Sequence, residues 1–68
     1  MAEYHINVFW SPEDGEWIAD IPDLPGCSAS GETPEAAVRE VRVAEQLWLQ
    51  VAQEDGRSRP EPRYRAVI

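Results

Sequence analysis

With 68 residues and 43% hydrophobic content, the chain is long enough for one small domain and too short for two. Its formal net charge of −7 argues against direct binding to nucleic acid, because the phosphate backbone would repel the protein. The sequence has no secretory signal and no apolar stretch of the roughly 20 residues that span a bilayer, which predicts a cytoplasmic protein with no membrane partner.

The first third of the chain predicts an antiparallel β-hairpin. Residues 4–10 alternate at period two, residues 11–15 contain the proline and glycine of a hairpin loop, and residues 16–21 form the return strand. Both faces of the return strand carry apolar residues, so the sequence does not decide which face is buried. On the first strand, the side predicted to face the core consists of Tyr4, Ile6, Val8 and Trp10.

The hairpin ends in a proline-rich bend with the sequence Pro22-Asp23-Leu24-Pro25-Gly26-Cys27. The two prolines remove backbone donors and prevent the strand from continuing. We expect Asp23 and Leu24 to be exposed on this bend, where they could contact a partner. Residues 27–30 are small and predict a short third strand, after which Gly31 allows another bend.

The next segment predicts one long α-helix. Thr33 is a good N-cap, and Pro34 suits the first helical position because the N–H that proline lacks would be unpaired there. The helix is expected to span residues 34–54 and to stop at Gly56. Its predicted apolar stripe consists of Ala37, Val41, Ala44, Leu47, Trp48 and Val51.

A polar connection leads into the last predicted element. Residues 62–68 are expected to form a final strand, with Tyr64, Ala66 and Ile68 on one face. The order is then β-β-β-α-β, an α+β fold in which one long helix packs on an antiparallel sheet. The sequence has no internal repeat, so we interpret residues 1–68 as a single domain.

The residues able to carry chemistry form no recognisable catalytic constellation. Four carboxylates lie around the hairpin, at Asp14, Glu16, Asp20 and Asp23. Glu16 and Asp20 share one side of a strand, where a metal or an acid–base pair is conceivable, but solvated carboxylates are the commoner case. His5 lacks a nucleophile at a recognisable spacing, and Cys27 is interpreted as a small buried thiol. We therefore predict no catalytic residue, no metal, no cofactor and no enzymatic activity.

Aromatic and acidic residues of the first third are instead candidates for contact with a partner. Trp10 and Trp17 flank the hairpin on opposite sides, so one of them could be exposed, with core and interface equally open for that residue. We also expect a homo-oligomer, because a short chain without a disulfide and with an apolar last strand has an edge to cover. The partner-binding candidates are Trp10, Asp14, Glu16, Trp17, Asp20, Asp23 and Leu24.

Five motifs recur along the chain as one combination: Pro22 to Cys27, Gly31-Glu32-Thr33, Glu35-Ala36-Ala37, Gly56 and Pro60-Glu61-Pro62. Each motif is weak by itself, whereas together they cover nearly the whole chain. In combination, they resemble the HicB-like antitoxin family. The resemblance implies a β-β-β-α-β domain described as a partial ribonuclease H-like fold.

The resemblance also implies a non-catalytic protein that binds and blocks a small basic toxin of the HicA type, which cleaves mRNA. The acidic charge of the chain suits such a partner. Many relatives carry a C-terminal DNA-binding segment, and because none follows the last predicted strand here, we expect no C-terminal DNA-binding domain. Two alternatives stay open: an orphan homo-oligomeric regulatory or structural domain that binds another protein, and, less favoured, a metal-dependent nuclease.

Overall fold

The computed structural model describes residues 3–65, which fold into three antiparallel strands followed by one long helix. The strands form a sheet of order β1-β2-β3, with the helix packed on one side, so the predicted α+β class is confirmed. The elements in chain order are β1 (Asn7–Ser11), β2 (Glu16–Asp20), β3 (Ser28–Gly31) and α1 (Pro34–Glu54).

The β1–β2 connection is the tight hairpin loop that its proline and glycine predict. Ser11 pairs with Glu16, and the N–H of Gly15 donates to the carbonyl of Ser11 at 2.9 Å. Gly15 adopts a φ of 65°, a left-handed conformation that glycine reaches without strain. The hydroxyl of Ser11 donates to the carboxylate of Asp14 at 3.1 Å, which further ties the loop to the strand end.

Strand register divides the sheet into a helix side and an outer face. Ala19 is fully buried and pairs with Val8 on one neighbour and with Ala29 on the other, so these residues lie on the helix side. The helix side also carries Trp10, Trp17 and Gly31. The outer face, which α1 does not cover, consists of Asn7, Phe9, Ser11, Glu16, Ile18, Asp20, Ser28 and Ser30.

The expectation that the first strand buries a complete face is wrong for its second half. Tyr4 is buried and Ile6 packs against the core, but Val8 is 37% exposed and Trp10 is 48% exposed. The cause is the position of α1, which packs mainly on β3 and β2 and touches β1 least. The helix side of β1 therefore extends beyond the helix that would cover it.

The proline-rich bend, residues 21–27, is called the corner below, and it consists of two successive turns. The N–H of Leu24 donates to Ile21 at 3.0 Å, and the N–H of Cys27 donates to Leu24 at 2.9 Å. Each turn has a proline at its second position, and Gly26, with a φ of 81°, supplies the positive dihedral that a type II turn requires. A third bond, from the N–H of Ile21 to the carbonyl of Cys27 at 3.0 Å, closes the corner.

Helix α1 begins and ends where its capping residues predict. The Thr33 hydroxyl accepts a bond from the N–H of Ala36 at 3.0 Å, and Pro34 opens the first turn. At the other end, Gly56 donates to Gln53 and Arg57 donates to Ala52, with Gly56 at a φ of 76°. These two bonds form a Schellman motif, which pairs carbonyls that the helix leaves open.

The buried stripe of α1 is rotated relative to the predicted one. Leu47 is 58% exposed and Val51 is 49% exposed, while Ala52, absent from the predicted stripe, is buried. The described sheet has only three strands, and Leu47 and Val51 line a surface pocket beside Cys27 and Ser28 instead of packing in the core. Residues of α1 that are buried or pack against the core are Ala37, Val41, Ala44, Trp48, Leu49 and Ala52.

After the helix, residues 57–65 fold back across the start of the chain without forming a strand. The hydroxyl of Tyr4 donates to the carbonyl of Pro60, and the rings of His5 and Tyr64 lie 4.8 Å apart. A final strand is predicted over residues 62–68, but residues 62–65 do not form a strand. Its remaining residues, 66–68, lie outside the described part of the chain.

Candidate partner-binding surface

Charge is divided unevenly along the chain. The first 38 residues contain no lysine or arginine, and the sheet and its loops are therefore purely acidic. All positive side chains belong to the helix or to the segment after it, at Arg39, Arg42, Arg57, Arg59, Arg63 and Arg65. A basic partner would accordingly be attracted to the sheet half of the molecule.

Two tryptophans lie together at the loop end of the hairpin. Trp10 pairs with Trp17 across the strands, and their rings meet edge to face with centroids 5.7 Å apart. The sequence placed them on opposite sides, whereas the register places both on the helix side. Trp17 packs against the core and supports Trp10, which remains 48% exposed. A large, half-exposed aromatic residue held by a second one is a typical anchor for protein contact.

Three of the predicted carboxylates surround the outer face. Glu16 and Asp20 share that face, as the alternation of β2 predicts, and Asp14 lies in the exposed hairpin loop. Phe9, 48% exposed, lies on the same face beside Ile18. The outer face thus combines apolar and acidic side chains and carries no positive charge.

Asp20 differs from the other carboxylates because one of its oxygens is both buried and unpaired. Its Oδ1 atom has no hydrogen-bond partner among the described residues. Asp20 also lines a pocket of about 260 Å³ whose remaining walls come from the corner and from Ser28. No other charged residue of the described chain lines this pocket.

The corner residues of the predicted surface have structural roles. Leu24 is fully buried in the core, so the expectation that it is exposed is wrong: the two turns of the corner direct its side chain inward. The carboxylate of Asp23 accepts bonds from the backbone N–H groups of Arg63 and Tyr64, each at 3.1 Å. Asp23 thereby holds the returning segment 57–65 against the corner.

Cys27 is a free, buried thiol, as the sequence predicts. Burial raises the pKa of its thiol, and the negative charge of Glu45 raises it further. A thiol held in its neutral form is a poor nucleophile. Within residues 3–65, no three metal-ligating side chains lie close enough to hold a metal ion. The helix of this part of the chain is also not long and apolar enough to cross a membrane.

Sequence reasoning missed a second surface, on the exposed flank of α1. Val43, Leu47 and Val51 are each about half exposed and recur every fourth residue. Leu47 and Val51 line a largely apolar pocket of about 340 Å³ with Trp48, Cys27 and neighbouring residues. Ser28, at the start of β3, lines the same pocket, and β3 is an edge strand of the described sheet. The four-residue spacing of these apolar residues is visible in the sequence, but the same spacing is typical of a stripe that faces the core.

Two comparisons with known proteins found a match, and a third found none. The family described as "HicB_like antitoxin of bacterial toxin-antitoxin system" matches residues 4–66. The UPF0150 protein ssl0259 of Synechocystis sp. is 38% identical over 53 residues, which cover 78% of this chain and 73% of that protein. No solved structure matches the chain.

Proposed function

This chain belongs to the HicB-like antitoxin family, and on that premise we propose that it binds and neutralises a small basic toxin of the HicA type. The family supports an antitoxin role and suggests a non-catalytic one. The observation that supports the proposal is the division of charge: the strands and their loops contribute no lysine or arginine to repel a basic protein, and Arg59 of the returning segment lies over the Tyr4 ring instead. Since the toxin would act on mRNA, the proposal places the pair in the cytoplasm.

The contact surface in this proposal is the loop end of the hairpin together with the outer face. Trp10 supplies an exposed aromatic anchor on the helix side and Asp14 lies in the adjoining loop, while Glu16 and Asp20 place negative charge on the outer face. Trp17 acts from behind as the support of Trp10. Anchors of this kind are where interface binding energy concentrates, with the surrounding charges setting orientation and association rate.

The proposal is tested by searching the neighbouring genes for a small basic protein and co-expressing that protein with this chain. We expect the two proteins to co-purify and growth to recover when the antitoxin is supplied. Trp10→Ala should weaken the complex at least about tenfold, because it removes the aromatic anchor. Gln53→Ala is the control, since Gln53 is exposed on α1 and belongs to neither proposed surface. Separate purification of the two wild-type proteins, with no relief of toxicity, would refute the proposal.

We further propose that the protein self-associates through the flank of α1 and the free edge of β3. Val43, Leu47 and Val51 expose apolar surface beside a strand whose outer backbone groups have no partner in the described sheet. A symmetric pair of such edges would bury both features at once.

Light scattering at micromolar concentration measures this self-association. The expected mass is a multiple of 7.7 kDa for the wild-type protein and for Trp10→Ala. Leu47→Glu should shift the protein toward the monomer, because it places a charge in the apolar flank. A wild-type protein that scatters as one protomer would exclude this surface as an interface between copies.

A further inference from the structure

Strand β1 lies at an edge of the described sheet and exposes apolar side chains on both of its faces. It pairs with β2 on one side, and no strand within residues 3–65 pairs with it on the other. Val8, Phe9 and Trp10 are consecutive and all exposed. An exposed apolar edge strand favours pairing with another strand, because its outer N–H and C=O groups form a template for one.

The features that commonly prevent such pairing are missing from β1. A proline, a charged side chain or a β-bulge each makes an edge strand a poor partner. Asn7–Ser11 contains no proline and no charge, and it pairs with β2 through consecutive residues without a bulge. The segment 57–65 contacts Tyr4 and His5, which precede β1. In the part of the chain that the structure describes, the edge of β1 is therefore open.

The distribution of charge favours a second copy of the chain as the occupant of this edge. Each copy has a net charge of −7, so two copies repel each other wherever their acidic side chains meet. Residues 6–12, however, contain no ionisable side chain. Two copies can therefore approach along β1 without placing like charges directly opposite each other, which would destabilise a strand pair.

We propose that two copies pair their β1 strands in an antiparallel manner, with Phe9 opposite Phe9 on the two-fold axis. This register pairs all five residues of the strand and places Val8 opposite Trp10 and Asn7 opposite Ser11 of the second copy. Residues opposite each other point to the same face, so the two sheets join into one with both helices on the same side. The facing aromatic and β-branched side chains are pairs that stabilise antiparallel strands.

This pairing differs from the interface proposed above for the flank of α1. Strands β1 and β3 are opposite edges of the described sheet, so either interface can form without the other. The pairing also goes beyond the proposed neutralisation, because it requires no toxin. Trp10 belongs to both surfaces, so a toxin that binds there would displace the second copy.

A cysteine at the two-fold position tests the register. Directly opposite residues have Cβ atoms about 4.5–5.5 Å apart, close enough for a disulfide after a small adjustment. In a Cys27→Ala background, Phe9→Cys should form a disulfide-linked dimer under mild oxidation. Ser11→Cys in the same background is the matched control, because the register places its two copies about 13 Å apart along the strands. No cross-link in Phe9→Cys, or equal cross-linking in Ser11→Cys, would overturn the inference.

A charge on the edge tests the pairing in a protein without an added cysteine. Val8→Lys places on β1 the side chain that sheets commonly use to prevent edge pairing. We expect light scattering to show half the mass of the wild-type assembly. Gln53→Lys adds the same charge at an exposed position of α1 and should leave the mass unchanged. An unchanged mass in Val8→Lys would refute the pairing, and the cross-linking test stands even if that variant does not fold.

The two proposed interfaces between copies fail in different ways. If only β1 pairs, Leu47→Glu keeps the wild-type mass and Val8→Lys is a monomer, which supports the inference. If only the flank of α1 associates, Val8→Lys keeps the wild-type mass and Phe9→Cys does not cross-link, which overturns it. Neither result depends on whether the chain co-purifies with a toxin.

Discussion

The corner and the outer face of the sheet are neighbours with opposite organisation. In the corner, backbone bonds close two turns, and Ile21, Leu24 and Cys27 are directed into the core. On the outer face, Phe9 is half exposed and Asp20 keeps an unpaired oxygen. The corner has the more distinctive sequence, yet its residues mainly stabilise the fold. The less distinctive hairpin offers the groups that remain available to a partner.

The largest expected effect comes from deleting the side chain that the corner buries. Leu24→Ala should destabilise the fold by about 2–5 kcal/mol, because it leaves a cavity in a small core. Phe9→Ala on the outer face should cost about 1 kcal/mol or less. Urea denaturation of both variants measures the difference. Equal losses of stability would mean that the two regions do not differ as described.

Gly31, at the end of β3, tests how tightly the helix approaches the sheet. A Cβ atom at this position would lie 2.5 Å from the backbone nitrogen of Ala37, which is inside van der Waals contact. Gly31→Ala should therefore destabilise the protein by about 1–3 kcal/mol. Ser30→Ala, one residue earlier on the outer face, serves as the control and should have little effect. Thermal unfolding of the two variants provides the comparison, and a neutral Gly31→Ala would contradict the close approach.

Asp23 is a carboxylate that stabilises the fold, whereas Glu16 is a carboxylate on the outer face that remains available to a partner. Asp23→Ala removes the acceptor for two backbone N–H groups and should cost about 1 kcal/mol. Hydrogen exchange should show faster exchange at Arg63 and Tyr64 and unchanged protection in α1. Glu16→Gln should leave both stability and exchange unchanged. Unaltered exchange at Arg63 and Tyr64 in Asp23→Ala would argue against the tie.

The smallest effect concerns the pH dependence that Cys27 confers. Because burial raises the pKa of the thiol in the folded protein, the folded state keeps the proton to higher pH than the unfolded state does. The resulting stability is complete below the unfolded-state pKa of about 8.5 and is lost as the pH rises through the folded-state value. Denaturation curves at neutral and alkaline pH should show this loss in the wild type and not in Cys27→Ala.

Thiol labelling compares the accessibility of the corner with that of the outer face. Cys27 should react slowly with a thiol reagent, because it is buried and neutral. A cysteine introduced by Ser30→Cys, in a Cys27→Ala background, should react quickly from its exposed position. Similar labelling rates would show that the corner opens often enough to expose Cys27 to the reagent.

Local signals in the sequence predicted the local structure. The bounds of α1 follow from Thr33, Pro34 and Gly56, whose effects depend on the backbone within a few residues. The hairpin loop follows in the same way from its proline and Gly15. These residues act through short-range geometry, so no knowledge of the rest of the fold is required.

Burial was harder to predict, because it depends on where the single helix lies over the sheet. The alternation of β1 is genuine, but Trp10 and Val8 extend past α1 and remain exposed. The inward direction of Leu24 depends on two successive turns, which the prolines suggest without fixing their orientation. The unpaired oxygen of Asp20 has no sequence signal, since it reflects the absence of a donor in three dimensions. The likeness to ribonuclease H stays a prediction.

The tie between the start of the chain and the segment after the helix also affects the order of folding. The bond from Tyr4 to Pro60 joins positions 56 residues apart, whereas the hairpin joins Ser11 to Glu16. Closing the longer loop costs more chain entropy, so the hairpin and α1 should form first and the segment 57–65 should dock last. By the same reasoning, this segment should be the first to detach when the folded protein opens locally. Pulse-labelling hydrogen exchange during refolding would show the order, with Arg63 and Tyr64 protected after the amides of β2.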